Sequence, residues 1–265
     1  MRELSRITDD ALFAEICTRI ILANTTSKMT ERNRFADIEP RLIELLRADP
    51  PARVHDVAVS SGITAVELHA ALSRQFPNVV LDISDKFGAV SVSRGFPCRV
   101  FDLDGDFLFG YAGPFYCDPR LRPTKFISLL LGRLIRASRE QAARLPVDRT
   151  ALFDPSTSAL IRANRIAAID YDLFRTEIDG RYDLVRCMNI LNIGYFPADM
   201  LRQGIRNVTR SVRENGLLLI GRNQAINVGT HATLFRKVGG VLRVVEDFNG
   251  GSEVRDVALS SGHAS

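Results

Sequence analysis

The sequence predicts an α/β fold built on a doubly wound, mostly parallel sheet. Short apolar runs alternate with amphipathic helical patterns over residues 53–94, and the same alternation returns after residue 165. With 265 residues the chain is long enough for one large domain, and its 46% hydrophobic and 25% charged composition is that of a folded globular protein.

The N-terminal residues 1–50 are predicted to form a helical cap. Apolar residues recur at helical spacing over residues 8–23 and again over residues 35–47. Two consecutive prolines then end the helical region, because a proline cannot continue a helix. We therefore expect the main domain to span residues 51–250 and a C-terminal tail to span residues 251–265.

The main domain is predicted from a repeated order of strands and helices. Its first half reads as strand, helix and strand: RVHDVAVSS from residue 53, GITAVELHAALSRQF from 62 and NVVLDISD from 78. Its second half reads as strands at 165–170, 182–191 and 216–222, with a helix at 197–215 before the last of them. Two further strands around a Gly-Gly turn at residues 232–246 predict a hairpin.

Residues 95–160 do not follow this alternation and are predicted to form an inserted subdomain. Two apolar runs flank Asp104-Gly105, which is a hairpin signal. A helix is predicted from Thr124 to Ala143, with an apolar first part and an arginine-rich end.

Composition argues against several function classes. The four cysteines form no CxxC pair and the four histidines have no zinc-like spacing, so no metal site is predicted. The net charge of +4 comes from scattered arginines, which does not favour a nucleic-acid interface. The strongest apolar run, residues 126–135, is interrupted by Arg133 and is too short to span a bilayer. Peripheral membrane contact stays open, and so does the oligomeric state.

The first residues alternate in charge and lack the pattern of a signal peptide. A cytoplasmic location with reduced thiols is the expectation.

The segment from Asp56 to Gly62, DVAVSSG, links the first strand to a helix and holds the most informative residues. In a doubly wound sheet a ligand lies beyond the carboxyl ends of the strands, where small residues let the backbone approach it closely. Ala58 and Ser60 supply such residues here. Asp82 is expected to end the next strand, where a carboxylate accepts hydrogen bonds from the hydroxyls of a ribose.

This segment resembles the first motif of class I S-adenosylmethionine-dependent methyltransferases, which have a Rossmann-like fold. That motif runs acidic, apolar, Gly, x, Gly, x, Gly. Asp56 matches its acidic position, Ala58 and Ser60 replace its first two glycines, and Gly62 keeps the third.

Three further segments resemble later motifs of the family in the correct order. VVLDISD is similar to the ribose-binding motif and IDYDLF to the adenine-contacting motif. YDLVRCMNILNIGYF is similar to a segment of the chemotaxis-receptor, CheR-like methyltransferases. The resemblance implies cofactor binding by Asp56, Ala58, Ser60, Gly62, Asp82, Ile83, Asp172, Leu173 and Asn189. It offers Arg186, Asn189 and Tyr195 as candidate catalytic residues.

The function that the resemblance implies is methyl transfer from S-adenosylmethionine to a small or amphiphilic acceptor. An apolar, arginine-edged insertion favours a lipid-like acceptor, whereas Arg186 would suit a carboxylated one. Because the donor-binding residues all lie outside residues 95–160, we expect that insertion to select the acceptor.

Two other functions remain open from the sequence. Residues 54–76 also match a helix-turn-helix pattern, which would make the chain a DNA-binding protein. The missing glycines leave room for a protein that binds S-adenosylmethionine without catalysis. A nicotinamide-dependent oxidoreductase is disfavoured because no GxGxxG motif is present.

Overall fold

The computed structural model describes residues 31–86, 88–93, 95–113, 115–118, 126–223 and 229–261. The helical pattern at residues 8–23 lies outside these described residues. The chain divides into two compact units. The main unit comprises the described residues of Thr30–Lys86 and Ser156–Ser265, and the inserted unit comprises those of Phe87–Pro155.

The described residues form twelve strands and seven helices. The strands are β1 Arg53–Val57, β2 Val80–Ser84, β3 Ala89–Ser93, β4 Cys98–Phe101, β5 Phe107–Ala112, β6 Phe115–Cys117, β7 Val147–Ala151, β8 Ile166–Ala168, β9 Tyr182–Met188, β10 Val212–Asn223, β11 Thr230–Val238 and β12 Val241–Phe248. The helices are α1 Glu39–Leu46, α2 Ile63–Gln75, α3 Phe126–Ile135, α4 Arg139–Arg144, α5 Pro155–Arg162, α6 Ala198–Ser211 and α7 Arg255–Ser260.

The main unit contains a seven-stranded sheet in the order β12-β11-β10-β9-β1-β2-β8. Strands β8, β2, β1, β9 and β10 pair in parallel, and β11 and β12 follow antiparallel. Counted in chain order, the parallel strands lie as 3-2-1-4-5, the arrangement of doubly wound sheets. The predicted α/β fold class is confirmed.

Helices cover this sheet because one face of each is apolar. Leu68 and Leu72 of α2 are fully buried, as are Ile205 and Val208 of α6. The alternation of apolar runs and helical patterns in the sequence therefore reports burial of the parallel strands on both faces. Among the described residues no helix is long and apolar enough to cross a membrane.

The helix-turn-helix interpretation of residues 54–76 is wrong. Residues 54–57 belong to β1, which is hydrogen-bonded between β2 and β9 in the interior of the sheet. A strand flanked on both sides cannot serve as the first helix of a DNA-binding motif.

Both predicted hairpins are present. β4 and β5 pair antiparallel around Asp104-Gly105, and β11 and β12 pair around Gly239-Gly240. All three of these glycines have positive φ, which the tight turns require.

The C-terminal segment, predicted to be a tail from residue 251, contains a short helix. This helix, α7, packs against the main unit with Ala258 buried.

The inserted unit differs from the sequence prediction in two ways. It contains a five-stranded antiparallel sheet in the order β6-β5-β4-β3-β7, rather than a single hairpin. The helix predicted from Thr124 to Ala143 is two helices, because Ser138 accepts a hydrogen bond from Gln141 N in a capping box that begins α4. Some of its aromatic side chains pack within the unit, since Phe109 is buried and the Phe101 and Phe107 rings lie 6.0 Å apart, whereas Phe96 and Phe115 are exposed.

His55 lies in the interior of the main unit, in β1. Its Nε2 and Ser84 Oγ share a hydrogen bond of 2.8 Å, and its ring lies against the rings of Tyr171 and Tyr182 at 5.0 and 4.8 Å. Burial lowers the pKa of this imidazole to about 4, although the nearby charge of Asp82 opposes the shift. The folded protein therefore keeps His55 neutral.

We predict that His55 makes the fold less stable as pH falls from 6.5 to 4. In that window the unfolded chain binds a proton at His55 and the folded chain does not, so protons favour unfolding. The full effect is about 3 kcal/mol by the conversion of pKa shifts into free energy. Urea denaturation at pH 7 and pH 4.5 measures it, comparing the wild type with His55→Gln.

The raised pKa of Glu39 acts in the opposite direction, but it is common to both proteins and cancels in the comparison. An equal loss of stability in the wild type and in His55→Gln would contradict this prediction.

Candidate functional site

The carboxyl ends of β1, β2, β8, β9 and β10 meet at one edge of the main sheet, which we call the carboxyl edge. The chain runs from β1 to β2 and β8 on one side, and β9 and β10 lie on the other side. The point between β1 and β9 is thus a topological switch point, outside which doubly wound sheets bind their ligands. The candidate site begins with the segment that leaves β1.

Residues 58–62, which we call the β1 turn, connect β1 to α2 through left-handed backbone. The φ angles are 59° at Ala58, 56° at Ser60 and 87° at Gly62. Only glycine adopts this region freely, and other residues there cost about 1–2 kcal/mol each. Val59 and Ser61 are buried, whereas Ala58 and Ser60 are half-buried and form the outward side of the turn.

Asp85 contacts this outward side from the next strand. It is the first residue after β2, and its Oδ2 accepts a hydrogen bond of 2.7 Å from Ser60 N. The neighbouring Lys86 is exposed and lies 3.9 Å from Asp172 Oδ2. Sequence reasoning missed Asp85, although a signal was present. In parallel register Val57 pairs with Ser84, so the residue that follows Ser84 stands level with Ala58.

Asp82 and Ile83 are not at the carboxyl edge. Asp82 is 1% exposed, and its Oδ2 accepts hydrogen bonds from Tyr182 Oη (2.9 Å) and from Arg53 Nε and Nη2 (3.1 and 3.0 Å). These partners stand at the amino ends of β9 and β1. Ile83 is fully buried in β2. The expectation that Asp82 contacts a ribose is therefore corrected. Asp82 lies inside β2, and its carboxylate is enclosed by hydrogen-bond donors.

Asp56 and Arg186 form a buried ion pair beneath the β1 turn. They are register partners on β1 and β9, and Arg186 Nε and Nη2 donate to the two carboxylate oxygens at 2.9 and 2.6 Å. Nη2 also donates to Thr64 O, and Nη1 donates to Glu39 Oε1. Arg186 is 1% exposed, so the structure does not place it where a substrate could be paired. The expectations that Asp56 binds cofactor and that Arg186 is catalytic are corrected accordingly.

The charge of Arg186 is stabilised by its partners. Burial opposes the charged guanidinium, but the carboxylates of Asp56 and Glu39 together outweigh it and raise the pKa of Arg186. Burial also raises the pKa of Glu39 against the attraction of Arg186. Asp56, Glu39 and Arg186 thus form a structural ionic cluster in which two carboxylates surround one guanidinium.

Asp172 lies near the carboxyl edge, and Leu173 does not reach it. Asp172 Oδ1 accepts a hydrogen bond from Phe174 N (2.9 Å), and Asp172 N donates to Thr176 Oγ1 (3.1 Å). This carboxylate therefore organises the turn after β8 while it remains partly exposed toward Lys86. Leu173 is buried in the main core, so the predicted contact between Leu173 and an adenine ring is corrected.

Asn189 and Tyr195 lie on the segment that follows β9. Asn189 has φ 62°, donates from its N to Gly221 O and accepts at Oδ1 from Asn223 N, both at 2.8 Å. It therefore links the carboxyl ends of β9 and β10. Tyr195 is 47% exposed and Ile193 is 57% exposed, which leaves apolar surface on this segment.

The inner side of the β1 turn is closed by Thr157. A Cβ atom placed on Gly62 would lie 2.6 Å from both Cγ2 and Oγ1 of Thr157. The hydroxyls of Ser61 and Thr157 are buried, and neither has a hydrogen-bond partner among the described residues. Sequence reasoning missed Thr157, because nothing in the residues 156–160 marks a contact with a segment nearly one hundred residues earlier.

A surface pocket of about 480 Å³ lies elsewhere, near the amino ends of β2 and β8. It is lined by residues that include His69, Ser73, Asn164 and Arg165. We place the candidate site at the carboxyl edge instead, because the switch point and the left-handed turn are there. Among the described residues no cluster of His, Cys, Asp or Glu is arranged to bind a metal ion.

No protein-family model and no curated protein sequence matches the chain. Solved structures similar to it include the N-methyltransferase NodS of Bradyrhizobium japonicum with S-adenosyl-L-homocysteine, with 11% identity, TM-score 0.36 and coverage of 80% of this chain and 73% of that one. An O-methyltransferase family protein of Burkholderia thailandensis matches with 16% identity, TM-score 0.34 and coverage of 72% and 42%. The [4+2]-cyclase SpnF matches with 12% identity, TM-score 0.32 and coverage of 69% and 44%.

The chain spans about a third of the length of two further methyltransferase structures that it matches. These likenesses have low TM-scores and include a cyclase.

We predict that Gly62→Ala destabilises the fold more than Gly239→Ala. Both glycines have positive φ, so the new methyl group strains the backbone at both positions. Only at Gly62 does it also collide with a side chain, because Gly239 has nothing within 4 Å of the added Cβ. Urea denaturation should give a difference of about 1–3 kcal/mol between the two variants. Equal losses would show that Thr157 does not close the turn.

Proposed function

We propose that this chain binds S-adenosylmethionine at the carboxyl edge and transfers its methyl group to a small apolar or amphiphilic acceptor. The observation that carries the proposal is the outward side of the β1 turn. Ala58 and Ser60 hold the left-handed backbone where the resembled motif has glycine, and Asp85 stands directly beside Ser60. This places small residues and a carboxylate together at the switch point of the sheet.

The β1 turn favours an adenosyl ligand that carries no phosphate. Dinucleotides place their pyrophosphate on the N-terminus of the helix that follows the first strand. Here Ser61 and Gly62 at that N-terminus are buried, and Thr157 lies against Gly62. A phosphate has no access there, whereas the outward side of the turn is accessible.

The residues present fit the groups of S-adenosylmethionine. Asp85 offers a carboxylate that accepts hydrogen bonds from ribose hydroxyls. Asp172 adds a second, partly exposed carboxylate, held by its turn and facing Lys86. Ala58 and Ser60 are small enough to leave the backbone of the turn accessible.

The chemistry asks mainly for positioning. When bound, S-adenosylmethionine supplies a methyl group on a sulfonium that is already activated, and correct alignment of donor and acceptor then contributes most of the rate. The β1 turn and Asp85 hold one side of the site. Asn189 fixes the position of the segment after β9 by its hydrogen bond to Asn223, and Tyr195 is the exposed candidate from that segment to contact an acceptor.

An apolar acceptor is better supported than a carboxylated one. Arg186, which would have to pair a carboxylated acceptor, has its guanidinium enclosed by Asp56 and Glu39. The exposed side chains after β9 are apolar or aromatic, namely Ile193 and Tyr195. Apolar and aromatic side chains are the usual lining of sites that bind apolar or amphiphilic small molecules.

Binding without catalysis is the second candidate function. Ser60 N already donates to Asp85, and side chains stand at two positions where the resembled motif has glycine. Incubation with S-adenosylmethionine labelled on its methyl carbon and a panel of apolar acceptors separates the two functions. The enzyme releases S-adenosylhomocysteine and labels an acceptor, whereas a binding protein retains the ligand unchanged.

Asp85→Asn is expected to weaken S-adenosylhomocysteine binding about 10- to 100-fold, because a charge-assisted hydrogen bond contributes about 1.5–3 kcal/mol. Isothermal titration calorimetry measures this, with NAD as a ligand that should not bind. Asp104→Asn, which alters an exposed carboxylate in the inserted unit, should leave the affinity within twofold.

Asp82→Asn is the matched contrast. It removes the charge of a buried carboxylate that pairs with the partly exposed Arg53, so it should lower the unfolding temperature but leave affinity within a few-fold wherever the variant is folded. No binding by the wild type, or unchanged affinity in Asp85→Asn, would overturn the proposed function of this site.

A further inference from the structure

The β1 turn is held in a conformation that its own residues do not favour. Ala58 and Ser60 both have left-handed backbone, in which a Cβ atom lies too close to the following carbonyl oxygen. Such residues persist only where the surrounding structure fixes them. Something outside the turn must therefore oppose its relaxation.

Arg186 contacts both segments that flank the β1 turn, namely the end of β1 and the start of α2. Asp56 lies two residues before Ala58, and its carboxylate accepts from Nε and Nη2 of Arg186. Thr64 lies two residues after Gly62, and its carbonyl oxygen accepts from the same Nη2 at 2.9 Å. One planar guanidinium thus fixes the distance between the strand that enters the turn and the helix that leaves it.

The surroundings of Arg186 keep this contact rigid. Glu39 of α1 accepts from Nη1 at 3.2 Å, and the Phe35 ring lies over the guanidinium with its centroid 5.3 Å from Cζ. The carbonyl of Thr64 and the carboxylate of Asp56 need donors in the fixed fork of a guanidinium. A lysine ammonium, which is a single point of charge on a flexible stem, cannot reproduce that fork.

We propose that Arg186 is a positioning residue for the ligand site. Its guanidinium holds the β1 turn in the left-handed backbone that glycines at positions 58 and 60 would adopt by themselves. The positioning role rests on the proposed function of the carboxyl edge. The clamp itself, by which Arg186 holds Ala58 and Ser60 left-handed, does not depend on any ligand. Glycines at 58 and 60 would adopt the same backbone without help, so the need for Arg186 should disappear when they are introduced.

The test compares Arg186→Lys in two backgrounds, the wild type and Ala58→Gly/Ser60→Gly. Amide hydrogen exchange at Ser60, whose N–H is bonded to Asp85, reports the turn without any ligand. In the wild-type background Arg186→Lys should accelerate that exchange at least 10-fold more than exchange at Leu234 in β11. In the glycine background, Arg186→Lys should accelerate exchange at residue 60 less than threefold more than exchange at Leu234.

Ligand affinity is the second readout. Arg186→Lys should weaken S-adenosylhomocysteine binding at least 10-fold in the wild-type background and less than threefold in the glycine background. A merely structural role would lower the unfolding temperature equally in both backgrounds and give equal losses of affinity, which would overturn the proposal. If wild-type protein does not bind S-adenosylhomocysteine, the proposed function fails, and the exchange comparison still decides whether the clamp exists.

Two further variants control this experiment. Arg213→Lys alters another arginine of the main sheet, which pairs with Asp49 and Asp183 away from the turn, and should change Ser60 exchange no more than Leu234 exchange. Should Arg186→Lys not fold, Asp56→Asn alters the same clamp while keeping the shape of the side chain, and its excess exchange must show the same dependence on the two backgrounds. Equal excess in both backgrounds would contradict the proposal.

Discussion

The buried ion pair between Arg186 and Asp56 is the interaction on which the rest of the main unit depends. It joins β1 and β9 directly opposite each other at the switch point of the sheet. Removing one partner of such a pair leaves an uncompensated charge in the interior and costs about 3–5 kcal/mol. Because Arg186 also binds Glu39 and Thr64, the same guanidinium orients α1 and α2 against the sheet.

The two carboxylates of the β2 segment, Asp82 and Asp85, differ in their surroundings. The carboxylate of Asp82, in the middle of β2, is enclosed by Arg53, Arg181 and Tyr182 from the amino ends of the strands. Burial and the bond to Asp82 raise the pKa of the Tyr182 hydroxyl to about 12. At the carboxyl end Asp85 remains half-buried beside a strained turn. The carboxylate of Asp82 is enclosed, whereas that of Asp85, which accepts a hydrogen bond from Ser60 N, lies at a partly exposed and strained edge.

The sequence carried enough information for the fold class, but less for the positions of individual residues in the candidate site. The alternation of apolar runs and helical patterns predicted the parallel sheet, and the Gly-Gly turn predicted the β11–β12 hairpin. Asp82 was misplaced because an apolar run shows where a strand lies but not the residue at which it ends. Asp85, three residues later, is the one level with the turn.

The role of Arg186 could not be predicted because its partner Glu39 is 147 residues away in the chain. A charged residue inside an apolar strand indicates that a partner exists, and only the tertiary structure identifies it. The same holds for Thr157 against Gly62. The helix predicted at residues 124–143 failed for a local reason, since the capping box at Ser138 begins a new helix and sequence periodicity does not register it.

A crystal structure of the protein with S-adenosylhomocysteine tests the central claim most directly. The account predicts the ligand at the carboxyl edge, with ribose hydroxyls about 3 Å from the Asp85 carboxylate and the ligand in contact with Ala58 and Ser60. Asp82 should stay enclosed by Arg53 and Tyr182. A ligand bound in the pocket beside His69 and Arg165, or one that contacts neither Asp85 nor the β1 turn, would contradict the account.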